Sequence, residues 1–182
     1  MQLSRDDLLK AYKRMRMIRE FEDAVHDEFS AGNIPGFVHL YAGEEASGVG
    51  ICMHLEDRDC IASTHRGHGH FLAKGGDPNG FMAEIFGKAS GVCGGKAGSM
   101  HVADIDRGII GANAIVGAGL PIAAGAAVSF GTPLMIAVLP SRRISAPMRR
   151  ISSRCMNRFS KIVSTMVPTP SAMVSRAANW AC

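Results

Sequence analysis

The sequence predicts an α/β fold, and three of its stretches carry that prediction. Apolar residues recur at spacings of three and four from Leu8 to Phe29, which is the pattern of an amphipathic helix. The apolar run Cys60–Ala62 precedes a glycine-rich loop, as a buried strand does in an α/β sheet. The segment Ala118–Val128 consists largely of small residues and predicts a closely packed helix. A chain of 182 residues, 47% apolar and 20% charged, is large enough for one globular domain with a core.

The first predicted element is a long helix that begins near Ser4. A capping hydroxyl followed by Asp6 and Asp7 favours a helix start, and the glycine- and proline-containing stretch 32–36 ends the helix. We expect its apolar stripe to be buried against its own domain. The stripe consists of Leu8, Tyr12, Met15, Ile18, Phe21, Val25 and Phe29.

Residues 37–41 are predicted to form a short β-type or extended piece. His39 alternates there with apolar neighbours, so this pattern alone predicts a hydrogen-bonded core histidine. The remaining predicted elements are a helix over 44–54, a turn over 56–59, helices over 71–74 and 77–86, and a mostly irregular segment over 87–111.

Three glycine-punctuated loops follow one another in the middle of the chain. They are Ser63–His70 (STHRGHGH), Gly91–His101 (GVCGGKAGSMH) and Gly111–Gly117 (GANAIVG). Glycine lets a backbone approach a ligand closely or adopt a positive φ, at an entropic cost on folding. Each loop alone is more typical of a surface turn. The three together, with one arginine and a helix start, indicate a site for an anionic ligand bound by loop amides.

The first loop carries the side chains best suited to bind such a ligand. Arg66 is always charged and can bind a phosphate through two donors at once. His65 and His68 can hydrogen-bond a ligand or hold a proton near neutral pH. A zinc site formed by His65, His68 and His70 is the alternative. However, the sequence has no H-E-x-x-H arrangement and no nearby cysteine, so we predict no metal ligand.

Charge divides the chain at about residue 130. Residues 1–130 contain 12 Lys/Arg and 16 Asp/Glu, whereas residues 131–182 contain 8 Lys/Arg and no acidic residue. We therefore predict one domain over 1–130 and a basic, serine-rich tail over 131–182 that is disordered or incidental. A basic tail can bind nucleic acid. The tail lacks interleaved aromatic residues and a recognition pattern, which disfavours that partner.

Cysteine usage and hydropathy indicate the compartment. The five cysteines form no C-x-x-C pair and are odd in number, which favours a reducing environment over a disulfide framework. The sequence shows no secretory signal at its start and no apolar run as long as a membrane span. We predict a cytoplasmic protein that does not interact with membranes.

The loops resemble those of the α-subunit of thiamine-diphosphate-dependent E1 dehydrogenases of the 2-oxoacid type, above all the acetoin dehydrogenase branch. The matching stretches are Gly36–Ala46 (GFVHLYAGEEA), Ser63–Gly69 (STHRGHG), Gly94–His101 and Gly111–Pro121, in the family's order and spacing. The resemblance implies that residues 1–130 form the N-terminal part of the thiamine-diphosphate-binding fold. That fold is a parallel sheet flanked by helices, here incomplete.

The resemblance also implies an assembly and a reaction. In the family an α2β2 assembly binds thiamine diphosphate at the α–β interface, and a β-subunit glutamate activates its aminopyrimidine ring. The cofactor attacks the carbonyl of a small-molecule substrate, and the acyl unit passes to a lipoyl group on an E2 protein. The implied activity is oxidative cleavage of acetoin or decarboxylation of a short 2-oxoacid such as pyruvate or a branched-chain oxoacid.

Position by position, the resemblance assigns two sets of site residues. The implied cofactor-binding residues are His65, Arg66, Ala114, Ile115 and Val116, and the implied catalytic residues are His39, His68 and His101. Arg66 matches the arginine that binds the diphosphate, and Val116 stands at the wedge that bends the cofactor. His65 replaces the tyrosine of many relatives. Ala114 stands where the family has a glycine. Its methyl group would crowd the aminopyrimidine ring if a positive φ were required at this position.

The sequence departs from the family after residue 130. The family's Gly-Asp-Gly and Asn-Asn motif binds Mg²⁺, but Asp106 is the last acidic residue of this sequence, and arginines and serines cannot replace carboxylates as Mg²⁺ ligands. We hypothesise a truncated or frameshifted gene of this family and expect impaired activity. Two alternative functions remain, a non-catalytic module that binds a β-subunit and a nucleic-acid binder that uses its basic tail.

Overall fold

In the part of the chain that the structure describes, helices flank a small parallel sheet, which is an α/β fold. The computed structural model describes residues 3–130 and 135–136, all within one compact unit. The elements are α1 Arg5–Ser30, α2 Glu45–Cys52, β1 Ile61–Ala62, α3 His68–Ala73, α4 Pro78–Ile85, a 3₁₀ turn Ile105–Arg107, β2 Ile109–Gly111, α5 Gly119–Phe130 and β3 Met135–Ile136. The predicted fold class is confirmed.

Helix α1 begins where the sequence predicts. Ser4 is its N-cap, and Ser4 Oγ accepts a hydrogen bond from Asp7 N at 3.1 Å while the Asp7 carboxylate bonds back to Ser4, as in a capping box. The apolar stripe is buried only where α1 packs on α2 and α3. The predicted burial is wrong at its two ends, because Leu8, Tyr12 and Phe29 are exposed.

The sheet is built around β1, the strand that the sequence predicts. Its order is β2-β1-β3 and both pairings are parallel. Ile61 pairs with Ile109 on one side and with Met135 on the other. Both residues of β1 are buried, as expected of a strand flanked on both edges.

Two strands were not predicted. β2 lies inside the segment 87–111, which was predicted to be mostly irregular, because three residues ending in glycine give no recognisable alternation. β3 lies beyond the boundary predicted at residue 130, so the parallel sheet continues into the region predicted to be a tail. The rest of that region, 131–134 and 137–182, lies outside the described residues.

The other helices follow local signals. Asp77 caps α4 by accepting from Asn79 N and Gly80 N, and Pro78 is the first helical residue, as predicted. Helix α3 begins at His68 rather than at Phe71, so His68 and His70 lie in a buried helix and not in a loop. Residues 37–41 form no strand. Among the described residues, no helix has the length and apolarity needed to cross a membrane.

Candidate functional site

The first and third glycine-rich loops meet at one edge of the sheet. They leave the carboxyl ends of β1 and β2, which are neighbouring parallel strands, and ligands of open α/β sheets bind at such an edge. The loops are in direct contact, since a Cβ atom added to Gly67 would lie 2.8 Å from Ala112 Cβ. Gly119, the first residue of α5, lies against the carbonyl of Ser63. The candidate site is therefore at this edge.

Residues 37–41 bring a third segment to the site. Arg66 Nη1 donates a hydrogen bond to the Leu40 carbonyl, and the rings of His39 and His65 meet edge to face with centroids 5.1 Å apart. His39 is half-buried, and its Nδ1 has no hydrogen-bond partner among the described residues. The prediction of a hydrogen-bonded core histidine is therefore wrong.

Unpaired polar atoms surround Arg66. Besides His39 Nδ1, the buried atoms His65 Nδ1 and Glu44 Oε2 have no partner within the part of the chain that the structure describes. Burial lowers the pKa of His65, and nearby His39 and Arg66 lower it further. Burial raises the pKa of Glu44 more than nearby Arg66 lowers it. We call Arg66, His39, His65 and Glu44 the Arg66 cluster. Because unpaired buried polar atoms cost free energy, this cluster is suited to bind a polar ligand.

The third loop presents an apolar tip. Ile115 N donates to Asn113 Oδ1 at 2.8 Å, which shapes the turn. Ile115 and Val116 are 71% and 75% exposed, and Ala114 is half-buried. The three predicted cofactor-binding residues of this loop therefore share the sheet edge with the Arg66 cluster, with apolar side chains open to an incoming group.

The amides of the second glycine-rich loop bind a carboxylate of the protein itself. Glu84 of α4 accepts from Cys93 N and Gly95 N through Oε2, both at 2.8 Å, and from Ala97 N and Gly98 N through Oε1 at 2.7 and 3.1 Å. Burial opposes ionisation of Glu84, but the four donors outweigh it and hold its pKa below the ordinary value. The prediction that these amides bind an anionic ligand is therefore wrong.

His101, at the end of that loop, is exposed. The next residue accepts a hydrogen bond from the third loop, with Val102 O 2.9 Å from Ala112 N. His101 therefore lies beside the start of the third loop, at the same edge of the sheet.

His68 lies in the core instead. Its side chain is fully buried, with Nδ1 2.8 Å from Glu22 Oε1 and Nε2 2.7 Å from Ser99 Oγ. Both ring nitrogens are occupied, so His68 has none to offer a substrate or a metal ion. His70 is likewise buried between Ser63 Oγ at 2.7 Å and the Tyr41 hydroxyl at 3.0 Å. No three His, Cys, Asp or Glu side chains converge in a metal-binding arrangement in residues 3–130 and 135–136.

The buried His70 predicts a pH dependence of stability. Burial lowers its pKa from 6.5 to about 4, so between these values the unfolded chain binds more protons and the folded state loses stability as the pH falls. We expect His70 to contribute a loss of about 3 kcal/mol in the free energy of unfolding between pH 7 and pH 4. Urea unfolding at several pH values measures it. His70→Gln should flatten the pH profile of the free energy of unfolding, with the exposed-site variant His26→Gln as the control. Equal slopes in all three proteins would contradict the assignment.

Sequence reasoning missed Glu22, Glu84 and Tyr41. Glu22 lies on the face of α1 that also buries Ile18 and Val25, and Glu84 lies between the buried Phe81 and Ile85. An acidic residue on the apolar face of a helix was the available signal, because a buried carboxylate requires hydrogen-bond partners.

The fold and the site define an α/β protein with a polar cluster and an apolar loop at one sheet edge. The family model of the dehydrogenase E1 component matches residues 13–132, more than half of the chain. The chain belongs to this family, which confirms the resemblance inferred from the motifs.

Curated relatives refine the comparison. The chain is 60% identical over 127 residues to the alpha subunit of acetoin:2,6-dichlorophenolindophenol oxidoreductase from Cupriavidus necator, and equally to that from Bacillus subtilis. Each match covers 70% of this chain and 38% of the relative. The pyruvate dehydrogenase E1 component subunit alpha of Zymomonas mobilis is 47% identical over 124 residues, which cover 68% of this chain and 35% of the relative. The chain thus spans less than two-fifths of the length of these relatives.

Proposed function

We propose that this chain forms the diphosphate-binding part of the α-subunit of a thiamine-diphosphate-dependent E1 dehydrogenase that acts on acetoin or a short 2-oxoacid. The observation that carries the proposal is the Arg66 cluster at the carboxyl end of a parallel sheet. A cation lies there with three buried polar atoms that have no hydrogen-bond partner among the described residues. The acetoin and pyruvate substrates come from the names of the relatives.

The residues present fit the organic cofactor. Among the described residues, the Arg66 guanidinium makes a single hydrogen bond, from Nη1 to the Leu40 carbonyl. A guanidinium has five N–H donors, so others are available for a diphosphate. His65 supports the same end, because its lowered pKa keeps the imidazole neutral at pH 7 with one nitrogen as acceptor and one as donor. The exposed Ile115 and Val116 supply apolar contact for a ring. Bound thiamine diphosphate would supply the nucleophilic carbon that adds to a substrate carbonyl.

The surroundings of two histidines support a catalytic role. His39 lies next to His65, and its Nδ1 has no partner in the part of the chain that the structure describes. His101 is exposed beside the third loop. An imidazole ring can accept or donate a hydrogen bond to a substrate and can transfer a proton. We propose His39 and His101 as catalytic residues and assign His68, which lacks a free nitrogen, to the core.

The residues present do not fit Mg²⁺. The sequence has no acidic residue after Asp106, and the only carboxylate of the Arg66 cluster, that of Glu44, stands beside a guanidinium. A hard divalent cation needs several oxygen ligands. We therefore propose that the affinity for thiamine diphosphate is low and independent of Mg²⁺. Calorimetric titration with and without Mg²⁺ tests this, and binding that strengthens with Mg²⁺ would contradict it.

A substitution at Arg66 tests the cofactor site directly. We expect Arg66→Gln to weaken binding of thiamine diphosphate by about 100-fold, because a charge-assisted bidentate bond to phosphate is lost. Binding of unphosphorylated thiamine should change little. Calorimetry with both ligands measures the effect, with Arg16→Gln on the exposed face of α1 as the matched control. Equal losses for both ligands would place Arg66 outside the diphosphate site.

A second candidate is a non-catalytic module that binds a β-subunit. The exposed apolar residues at the two ends of α1, Leu8, Tyr12 and Phe29, favour it, because such side chains are covered in protein interfaces. Co-purification with a β-subunit in the absence of turnover would support this candidate. Transfer of an acyl unit to lipoyl-E2 belongs to the first candidate alone. The nucleic-acid proposal concerns residues outside the described part of the chain and stays a prediction.

A further inference from the structure

One buried carboxylate, that of Glu22, is hydrogen-bonded to the 37–41 segment and, through the core residue His68, is linked to the 91–101 loop. Glu22 lies in α1 with no exposed surface. Its Oε2 accepts a hydrogen bond from Tyr41 N at 2.8 Å, and its Oε1 lies 2.8 Å from His68 Nδ1. Tyr41 is the last residue of the 37–41 segment, which contains His39, so Oε2 of Glu22 holds that segment in place.

The other carboxylate oxygen of Glu22, Oε1, is linked to the 91–101 loop through His68. Ser99 Oγ lies 2.7 Å from His68 Nε2, and Ser99 is two residues before His101. The rings of Phe21 and Phe81 meet the imidazole edge to face at 6.2 and 5.2 Å, so the chain of bonds lies in apolar surroundings. Hydrogen bonds in such surroundings are strong, and an unpaired member is costly.

We propose that Glu22 is a positioning residue that sets the relative placement of His39 and His101, acting through Tyr41 N on one side and through His68 and Ser99 on the other. The significance of these two histidines rests on the proposed function, whereas the hydrogen bonds do not. Apolar residues of similar volume often stabilise a core as well as buried, hydrogen-bonded polar side chains do, so stability alone does not explain Glu22. A polar chain adds fixed directions, because each donor must meet its acceptor.

The chain of bonds also fixes one tautomer of His68. A carboxylate can only accept, so Nδ1 of His68 carries the proton that faces Glu22, and a neutral ring accepts the Ser99 hydroxyl at Nε2. In Glu22→Gln the amide oxygen is needed by Tyr41 N–H, and the amide NH₂ then faces His68. The proton of a neutral ring must move to Nε2. Nitrogen chemical shifts of the imidazole distinguish the two tautomers.

The experiment uses the whole 182-residue chain with paired variants. Glu22→Gln has Glu20→Gln as its exposed control, and Ser99→Ala has Ser90→Ala, since Glu20 and Ser90 are exposed. Ser99→Thr keeps the hydroxyl. The bonded amides that flank Ser99 and His101 are Gly98 N, which donates to Glu84, and Ala112 N, which donates to the Val102 carbonyl. We expect Ser99→Ala to speed amide exchange at Gly98 and Ala112 about tenfold, and Ser99→Thr to restore slow exchange. Glu22→Gln should switch the His68 tautomer and also speed exchange at Tyr41. The two controls should match the parent chain.

Two results would overturn the proposal. One is unchanged exchange at Gly98 and Ala112 in Ser99→Ala. The other is a uniform increase over all helices, which would mean that Ser99 only adds global stability. If Glu22→Gln does not fold, the comparison of Ser99→Ala with Ser99→Thr still tests the proposal. None of these measurements requires a cofactor, so a failure of the parent chain to bind thiamine diphosphate would refute the proposed function and leave this result standing.

Discussion

Glu84→Gln is expected to destabilise the chain by about 4 kcal/mol. The Glu84 carboxylate accepts four backbone N–H groups of one loop. Glutamine offers a single oxygen, so two of the four N–H groups would face an NH₂ group and lose their acceptor. Each buried donor left unpaired costs about 1–3 kcal/mol, and a bond to a charged acceptor is stronger than a neutral one. Urea unfolding measures the change, with Glu20→Gln as the control.

Proteolysis offers a second measurement of the same effect. Lys96 is exposed, but its neighbours Gly95 and Ala97 both donate to Glu84. The parent chain should therefore be cut slowly by trypsin at Lys96. In Glu84→Gln cleavage at Lys96 should become faster than in the parent chain, whereas Glu20→Gln should leave its rate unchanged. Unchanged cleavage together with unchanged stability would show that the loop is held by other contacts.

The pH dependence of this contact has a definite sign. Because the folded-state pKa of Glu84 is lowered, its stabilisation is present above the unfolded-state pKa and is lost as the pH falls through the folded-state value. Acid should therefore weaken the parent chain more than Glu84→Gln over that range.

Gly69→Ala is expected to cost at least about 3 kcal/mol, the upper end for overpacking a core. A Cβ atom at this position would lie 1.9 Å from Tyr41 Cδ1. The Tyr41 ring cannot move away freely, because its hydroxyl is 3.0 Å from both Ser47 Oγ and His70 Nε2 and its N–H donates to Glu22. Thermal or urea unfolding measures the loss.

Gly125→Ala is the matched control for that substitution. Gly125 lies in α5, and a Cβ atom there would meet no atom within 4 Å. Alanine favours a helix over glycine by about 0.5–1 kcal/mol, so this variant should be slightly more stable than the parent chain. A similar loss in both variants would mean that the close approach of α3 to Tyr41 is not what makes Gly69 necessary.

The sequence predicted those elements whose signals are local. The Ser4 and Asp77 caps, the apolar run of β1 and the small-residue pattern of α5 each lie within one stretch of chain. The strand β2 was missed because its pairing with β1 comes from a distant segment. Helix α3 was placed too late because its first residues include two histidines and a glycine, which appear polar and loop-like in isolation.

The sequence predicted where in the chain the candidate site lies, but not which of its side chains contact one another or which are buried. The sequence could place Arg66 and His65 after a strand, and their contact with the His39 segment required the fold. His68 and His65 are three positions apart, yet one is fully buried and the other half-buried. The residue type alone could not separate them. The carboxylates of Glu22 and Glu84 decide what His68 and the loop amides bind. Glu22 is 46 positions from His68, and Glu84 is 9 to 14 positions from the amides, in a different element.

The parallel pairing of β1 sets an order of events during synthesis of the chain. Ile61 and Ala62 leave the ribosome long before their partners, since β2 begins at Ile109 and β3 at Met135. The contacts of α1 with α2 and α3 involve only residues up to Ala73 and can form first. Sheets with such distant partners form slowly, and domains fold from the N-terminus as the chain is synthesised. We therefore expect helices α1, α2 and α3 to cover β1 and keep it from associating with other chains until residue 136 has been synthesised.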